Sequence, residues 1–325
     1  MPRAANPAAH EPWRPEPFCV SWPIVADKEK GATMDGFERT YVESLAPKSK
    51  FSRRELIATG VTAGFALAVQ PVQAQTVIST DTNGLTAGPI EIPVSDGKIP
   101  GYYARPDGKG PYPTILVIHE IWGVHEYIQD ICRRLAKVGY FAVAPELSAR
   151  QGDPRKFTDN AMIMQQIINK IPDAEVASDL DATVAWARKD KTANTVKLGV
   201  TGFCWGGRQT WMYAFHNPRL KAAVSWYGFL THPDSPITPK GPLDLVATLR
   251  VPVLGLYGGA DPNNPEPVIR EVEAKLKAAH KHCEFVIYPG VGHAFFADYR
   301  SSYRPDAAKD GWARMLAWFK AHGVA

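Results

Sequence analysis

The chain is poor in cysteine and carries little net charge. Its 325 residues contain four cysteines, widely separated and with no Cys-x-x-Cys pair, so neither a disulfide framework nor a zinc ribbon is expected. The formal net charge is only +4. No basic stripe is interleaved with aromatic residues, so no nucleic-acid partner is predicted. No apolar run reaches the roughly 20 residues that span a bilayer, and the 45% hydrophobic content is that of a globular protein.

An export signal is nevertheless expected near the N-terminus. Basic residues at positions 48–54 precede an uncharged, mostly apolar stretch from Leu56 to Val69, and Val72-Gln73-Ala74 resembles a signal-peptidase site. The run Ser52-Arg53-Arg54-Glu55-Leu56-Ile57 resembles a twin-arginine motif, with Leu56 where phenylalanine is usual. Residues 34–74 are therefore predicted to be a twin-arginine signal peptide. The partner of the precursor would be the twin-arginine export machinery, and cleavage after Ala74 would release a periplasmic protein with no stable membrane anchor.

The residues on either side of this signal differ in character. Residues 1–33 are rich in proline and alanine without periodicity, which indicates either a disordered extension or a true start at Met34. N-terminal sequencing of the precursor distinguishes these two. Residues 75–325 have a length that suits a single α/β domain.

Apolar runs alternate with helical patterns after Thr76. The runs are continuous, as expected for parallel strands covered on both faces, and a hairpin turning at Ser95-Asp96-Gly97 precedes them. The predicted strands are Thr114–His119, Tyr140–Leu147, Val196–Gly202, Lys221–Gly228, Val251–Gly259 and Cys283–Gly290. The predicted helices are Glu126–Val138, Phe157–Ile168, Asp173–Ala187, Trp205–His216, Pro265–Ala279 and Asp306–Ala321. The pattern predicts a doubly wound, mostly parallel sheet with helices on both faces.

One cysteine occupies a chemically suggestive turn. Gly202-Phe203-Cys204-Trp205-Gly206 joins a predicted strand to a predicted helix, which is the pattern of a nucleophile elbow with cysteine in place of serine. The glycines allow a tight turn that lifts the side chain into the open. The positive end of the following helix favours a thiolate. The alternative is a buried cysteine beside glycines that only pack the helix on the strand.

Two later strand ends carry the partners that such a nucleophile needs. Asp261 follows the strand Val251–Gly259, and His293 follows the strand Cys283–Gly290. The order Cys204, Asp261, His293 is the nucleophile–acid–base order of α/β-hydrolases. His293 would take the thiol proton while Asp261 fixes the imidazole tautomer.

The end of the strand Thr114–His119 supplies further candidates. The backbone amide of Ile121, together with that of Trp205, is predicted to form an oxyanion hole. His119-Glu120 is followed next by His125, so the zinc motif His-Glu-x-x-His is absent. His280-x-His282-Cys283 spans a helix end and a strand start, where side chains diverge. Neither a metal nor a cofactor is therefore expected.

With these residues in view, the sequence resembles the dienelactone hydrolase (carboxymethylenebutenolidase) family of α/β-hydrolases. The matching stretches are HEIWGVHEYIQDICRRLAKVGYFAVAPEL, GVTGFCWGG, YGGADPNNP and YPGVGHAFF. The resemblance implies the α/β-hydrolase fold with about seven to eight strands, and a Cys204–His293–Asp261 triad. It also implies that Glu120 gates the thiol by contacting it at rest and keeping it protonated. The alternative for Glu120 is a cap on the following helix.

The sequence departs from the family where the substrate is bound. The best-known members hold the carboxylate of a dienelactone with two arginines, whereas Phe157–Lys170 has no arginine and His293 is followed by Ala-Phe-Phe-Ala. Five arginines could substitute or could be surface charges: Arg150, Arg155, Arg208, Arg300 and Arg304. The proline-rich loop Phe229–Leu249 could roof the site.

Three functions remain open at this stage. The favoured one is hydrolysis of a small-molecule lactone or carboxylic ester through an acyl-thioester on Cys204. The second is a general carboxylesterase or thioesterase whose pocket is lined by Trp122, Trp205, Tyr227 and Phe296. The third is a non-catalytic ligand-binding protein of the same fold.

Overall fold

Eight strands form one sheet in the computed structural model, which describes residues 79–231 and 235–325. The predicted extension at 1–33 and the signal peptide at 34–74 lie outside these residues. The strands are β1 (Leu85–Val94), β2 (Gly97–Pro106), β3 (Tyr112–Ile118), β4 (Phe141–Pro145), β5 (Ala193–Phe203), β6 (Ala222–Trp226), β7 (Val253–Gly258) and β8 (Cys283–Tyr288). Their order across the sheet is β1-β2-β4-β3-β5-β6-β7-β8.

Helices connect the strands of this sheet. They are α1 (Glu126–Lys137), α2 (Asn160–Gln166), α3 (Asp173–Ala187), α4 (Trp205–His216), α5 (Pro242–Leu245), α6 (Glu266–Ala278) and α7 (Pro305–Ala321). Short 3-10 turns occur at Pro154–Lys156, Ile168–Lys170 and Val246–Thr248. Within the described ranges, no helix is both long enough and apolar enough to cross a bilayer.

Burial explains why the strands have continuous apolar sequences. Every residue of β4, β6 and β7 is buried, although successive side chains point to opposite faces of the sheet. Both faces must therefore be covered. The neighbouring strands β4, β3, β5, β6, β7 and β8 pair in parallel. The strands β1 and β2 pair antiparallel and are joined by the predicted hairpin. The predicted α/β-hydrolase fold with a mostly parallel sheet is confirmed.

The register of the parallel strands brings their carboxyl ends to one edge. Ile118 pairs with Gly202, Phe203 pairs with Trp226, and Gly258 pairs with Tyr288. The residues that follow these ends are the candidates chosen from the sequence. Ligands of doubly wound sheets bind at this edge, so the fold gathers the candidate residues where a site is expected.

The helix predicted over Phe157–Ile168 is shorter in the structure. Asp159 accepts a hydrogen bond from the Ala161 amide (2.8 Å) and so starts α2 at Asn160. Ile167 then leaves the helical conformation, with φ −124° and ψ −70°. The capping side chain therefore sets a later start for the helix, and the backbone break sets an earlier end, although the apolar spacing of the segment is continuous.

Candidate active site

Cys204 occupies a strained turn between β5 and α4. Its φ of 59° and ψ of −120° are unusual for a residue with a side chain. Its amide donates to the Trp226 carbonyl oxygen at 3.0 Å. A Cβ on Gly202 would lie 2.3 Å from the Gly206 carbonyl oxygen, and a Cβ on Gly206 would lie 2.4 Å from the His119 carbonyl oxygen. The glycines flanking Cys204 are therefore required by the close approach of backbone segments. The Cys204 side chain itself is fully buried, so the expectation that the turn lifts it into the open is wrong.

Backbone strain is concentrated around this turn. Four non-glycine residues with positive φ are identified in the described ranges, and three of them are Cys204, Tyr227 (41°) and Ala294 (55°). Tyr227 follows β6 directly, and Ala294 follows the candidate base His293. Strained residues persist where the surrounding structure holds them in place, and they cluster at functional sites.

Asp261 and His293 form a buried hydrogen-bonded pair. His293 Nδ1 donates to Asp261 Oδ2 at 2.7 Å, and both side chains are buried. The other oxygen of Asp261 accepts from the Asn263 amide at 2.9 Å and from Asn263 Nδ2 at 3.0 Å. These bonds fix the carboxylate, which in turn fixes the ring. The Nε2 atom of His293 is left facing away from Asp261.

The thiol of Cys204 adjoins this imidazole. Burial of the ring opposes its protonation. The charges of Asp261 and Cys204, together with the hydrogen bonds that link the ring to both, outweigh burial and raise the pKa of His293 to about 10. Because Asp261 uses Nδ1, the thiol contact falls to Nε2. The structure thus brings the three predicted triad residues together in the order sulfur, imidazole, carboxylate.

The two amides predicted for the oxyanion hole are available at the same edge. Neither the Ile121 amide nor the Trp205 amide has a hydrogen-bond partner among residues 79–231 and 235–325. For Trp205 this follows from its position in the first turn of α4, where amides lack partners within the helix. Two N–H groups beside the thiol can therefore donate to a bound oxygen.

Glu120 lies in a buried polar cluster in the loop that follows β3. Its Oε2 accepts from the Tyr299 hydroxyl at 2.5 Å and lies 3.6 Å from His125 Nε2 and 3.9 Å from an Arg300 nitrogen. Burial favours the neutral acid. Arg300, His125 and Tyr299 together outweigh burial, so the pKa of Glu120 falls to about 2. The carboxylate is therefore charged at neutral pH although it is only 1% exposed.

The predicted pocket residues occupy different surroundings. Tyr227 is fully buried, and its ring lies 5.0 Å from that of His293. Its hydroxyl has no hydrogen-bond partner in the described part of the chain. Trp122 is partly exposed at this edge. Phe296, by contrast, stacks on Phe203 (5.7 Å) and on Trp312 (5.9 Å), which places its ring in the aromatic core behind the elbow.

The roof over the site begins at Phe229. Its ring stacks on the His293 imidazole with centroids 5.9 Å apart and planes 18° apart. The Leu230 amide donates to Asn264 at 3.3 Å. Phe229 therefore covers the imidazole; it is the first residue of the loop Phe229–Leu249, which the sequence suggested could roof the site. Within the described residues no group of three or more His, Cys, Asp or Glu side chains is placed to hold a metal ion.

Comparison with known proteins identifies the family. The sequence model of the dienelactone hydrolase family matches residues 99–323, most of the chain. The chain belongs to the dienelactone hydrolase family. The prediction of a hydrolase that acts on lactone or ester bonds is thereby confirmed at the level of the family.

Relatives of known sequence and structure agree with this assignment. A Methylorubrum extorquens protein named "Putative carboxymethylenebutenolidase" is 57% identical over 284 residues, which are 87% of this chain and 98% of that protein. An Escherichia coli K12 protein of the same name is 47% identical, over 82% of this chain and 98% of its own. The crystal structure of a "Putative Dienelactone Hydrolase" from Klebsiella pneumoniae has 49% sequence identity and a TM-score of 0.71, covering 73% of this chain and 98% of that one.

Arg300 has a more central position than its sequence context indicated. The sequence offered Arg300 only as one of five possible substitutes for the carboxylate-binding arginines, or as a surface charge. In the structure its side chain is only 13% exposed, and its guanidinium lies 4.8 Å from the centre of the Tyr299 ring. The charges of Glu120 and Cys204 both act on it. It therefore contributes positive charge to the candidate active site.

Arg150 and Arg208 form ion pairs within the scaffold. Arg150 bonds Asp179 (2.6 Å) and Asp96 (2.7 Å), which ties the β1–β2 hairpin to α3. Arg208 bonds Asp173 at 2.6 Å. These two arginines are committed to carboxylates of the scaffold.

The lowered pKa of Glu120 predicts a pH dependence of stability. Its value of about 2 lies below the ordinary 4.5, so the charged group stabilises the fold fully above pH 4.5 and progressively less as pH falls toward 2. We expect the difference in unfolding free energy between wild type and Glu120→Gln to shrink by about 2 kcal/mol from pH 5 to pH 3.

Urea unfolding at pH 5, 4 and 3 measures this difference. Glu91→Gln is the matched control, because Glu91 forms an exposed pair with Lys98 (2.8 Å) that water screens, and its difference should stay nearly constant. If the difference in unfolding free energy between wild type and Glu120→Gln is also constant over this range, the pKa of the buried carboxylate is not lowered in the folded state.

Proposed function

We propose that the protein hydrolyses a lactone or carboxylic ester with Cys204 as the nucleophile. The observation that carries this proposal is the alignment of the Cys204 thiol, His293 and Asp261 at the carboxyl edge of the sheet, with the Asp261–His293 bond at 2.7 Å. The Ile121 and Trp205 amides, which have no partner within the described residues, are the proposed oxyanion donors. A nucleophile, an oriented base and donors for a developing oxyanion are the parts that acyl transfer requires.

The chemistry proceeds in two stages. In the first, the Cys204 proton passes to His293 Nε2, and the sulfur attacks the carbonyl carbon. The oxyanion of the tetrahedral intermediate accepts hydrogen bonds from the Ile121 and Trp205 amides. The carbon–oxygen bond then breaks, the His293 proton moves to the leaving oxygen, and a thioester remains on Cys204.

In the second stage water replaces the alcohol. His293 Nε2 takes a proton from the water while its oxygen attacks the thioester carbonyl, and the same two amides again hold the oxyanion. The carbon–sulfur bond breaks, the carboxylic acid leaves, and the proton returns to sulfur. When the substrate is a lactone, the alcohol and the acid are parts of one open-chain product.

We also propose that Glu120 gates the thiol. Its Oε1 is buried and has no hydrogen-bond partner in the described residues, so it can accept from a thiol that rotates away from His293. The charges of both Glu120 and Cys204 act on the buried Tyr227 and help to raise its pKa, which supports this proposal. The alternative role of Glu120, as a cap on the following helix, is wrong, because α1 begins after His125 and has no side-chain capping bond.

The substrate class we propose is an ester or lactone that carries its own carboxylate. The Methylorubrum and Escherichia relatives bear the name of an enzyme for such a lactone, and the buried Arg300 supplies a cation near the thiol. A bidentate guanidinium–carboxylate contact is among the stronger polar interactions available. Arg300 is therefore proposed to bind the substrate carboxylate.

The site of action is proposed to be the periplasm, on the twin-arginine motif and the cleavage site after Ala74. A gated thiol suits that compartment, because an exposed thiolate is open to oxidation and disulfide exchange there.

The nucleophile is tested with Cys204→Ala. Because no other group takes its place, we expect the hydrolysis rate of p-nitrophenyl acetate and of dienelactone to fall by at least about 10³-fold. Iodoacetamide should inactivate the wild type in proportion to modification of Cys204. Cys132→Ala is the matched control, since this thiol is also buried but lies in α1, and its kcat should stay close to that of the wild type. Undiminished turnover by Cys204→Ala would refute the proposal.

The carboxylate subsite is tested with Arg300→Gln. We expect KM for dienelactone to rise by about tenfold or more, while KM for the neutral p-nitrophenyl acetate changes less than twofold. Arg304→Gln is the control, because the Arg304 side chain is exposed and donates to the backbone oxygens of Ser301 and Tyr303. Equal effects on both substrates would favour a general carboxylesterase. A wild type that hydrolyses neither substrate would favour a ligand-binding protein.

A further inference from the structure

His119 is a fully buried histidine that the mechanism above does not use. It follows β3 directly and precedes Glu120, in the loop that carries the Ile121 amide. Its ring stacks on the indole of Trp205, with centroids 5.4 Å apart and planes 28° apart. A single side chain therefore contacts both segments that supply the proposed oxyanion hole.

The hydrogen bonds of His119 define its tautomer. Two groups face Nε2: the Leu147 amide, which donates to it at 3.0 Å, and Glu146 Oε1, which lies 3.3 Å away. Glu146 Oε1 already accepts from the Ser148 hydroxyl at 2.7 Å. The nearer amide can only donate, so Nε2 must carry a lone pair. Nδ1 lies 2.5 Å from the Glu120 carbonyl oxygen, and a carbonyl oxygen can only accept, so Nδ1 must carry the proton. The ring is thus a neutral imidazole with its donor aimed at one peptide group.

That peptide group is the one that contains the Ile121 amide. In a planar trans peptide, the carbonyl oxygen and the N–H point in opposite directions. The His119 Nδ1–H···O=C bond pulls the Glu120 carbonyl toward the ring and so turns the Ile121 N–H the opposite way. This N–H is the amide with no partner among the described residues.

We propose that His119 is a positioning residue of the oxyanion hole. Its Nδ1–H fixes the plane of the Glu120–Ile121 peptide, and its ring packs on Trp205. The Ile121 and Trp205 amides therefore keep their orientation during acyl transfer. The proposal deepens the proposed hydrolase function and rests on it. A donor held in place before the reaction stabilises the developing charge without a cost of reorganisation.

Glu146 holds the other end of the same loop. Its Oε2 accepts from the Val124 amide at 2.7 Å, and its Oε1 accepts from the Ser148 hydroxyl at 2.7 Å. A Cβ on Gly123 would lie 2.5 Å from this carboxylate. The loop is therefore fixed at Val124 by Glu146 and at Glu120 by His119, and the Ile121 amide lies between these two points.

Two substitutions separate the positioning role from simple packing. His119→Asn places an amide nitrogen near the position of Nδ1 and can still donate to the Glu120 carbonyl. His119→Gln places an amide oxygen near the position of Nε2 and can still accept from Leu147, but it loses the donor to Glu120. In His119→Gln we expect kcat for p-nitrophenyl acetate to fall by about 10- to 100-fold, with KM within twofold. A misoriented oxyanion donor lowers kcat less than the loss of the donor does.

His119→Asn should have a kcat much closer to that of the wild type than His119→Gln has. Its melting temperature should nevertheless fall at least as far as that of His119→Gln. If instead the two variants lose equal kcat, or if His119→Gln turns over like the wild type, the positioning role is wrong and the hydrolase function stands. A wild type that hydrolyses neither p-nitrophenyl acetate nor dienelactone would overturn the proposed function, and this role with it.

The tautomer is measured without any turnover. In protein labelled with ¹⁵N-histidine, the signals missing from His119→Asn identify His119. We expect a protonated Nδ1 and an unprotonated Nε2 from pH 6 to pH 8. A proton on Nε2, in either the neutral or the charged ring, would overturn the inference.

Discussion

The site depends on how closely the start of α4 approaches the ends of β3 and β6. A Cβ on Gly206 would lie 2.4 Å from the His119 carbonyl oxygen, and a Cβ on Gly207 would lie 2.6 Å from the Trp226 carbonyl oxygen. Neither position can hold a larger residue without moving backbone. This contact places Cys204 beside the loop that carries Ile121 on one side and beside Tyr227 on the other. It also places the thiol at the amino end of α4, where the Trp205 amide has no partner within the described residues.

Two buried charge arrangements then set the chemistry around the sulfur. Asp261 keeps the imidazole of His293 oriented and raises its affinity for a proton, which suits a base that must accept one from a thiol. Glu120 is kept charged by Arg300, His125 and Tyr299 on the opposite side. A buried charge is tolerated only when it is paired and hydrogen-bonded. In the proposed mechanism, a substrate carboxylate that binds Arg300 would compete with Glu120. This competition would couple substrate binding to release of the proposed gate.

Much of this arrangement is predictable from the sequence because it follows from local rules. Continuous apolar runs indicate covered parallel strands, and the carboxyl ends of such strands must meet, so Cys204, Asp261 and His293 could be assigned to one edge. Arg300 could not be assigned in this way. Its partner Glu120 lies 180 positions earlier in the sequence, and no spacing connects the two. The same holds for His119, whose acceptor role toward Leu147 depends on the pairing of β3 with β4. The helix predicted over Phe157–Ile168 is shorter in the structure for a local reason, because a capping aspartate fixes its start despite the apolar pattern.

The central claim is that Cys204 carries the acyl group during turnover. Mass spectrometry of the wild type, quenched in acid during hydrolysis of a p-nitrophenyl ester with a slowly released acyl group, tests it directly. The account predicts that the peptide containing Cys204 gains the mass of the acyl group and loses it on treatment with neutral hydroxylamine. Continued turnover with no adduct on Cys204, or with the adduct on another residue, would contradict the account.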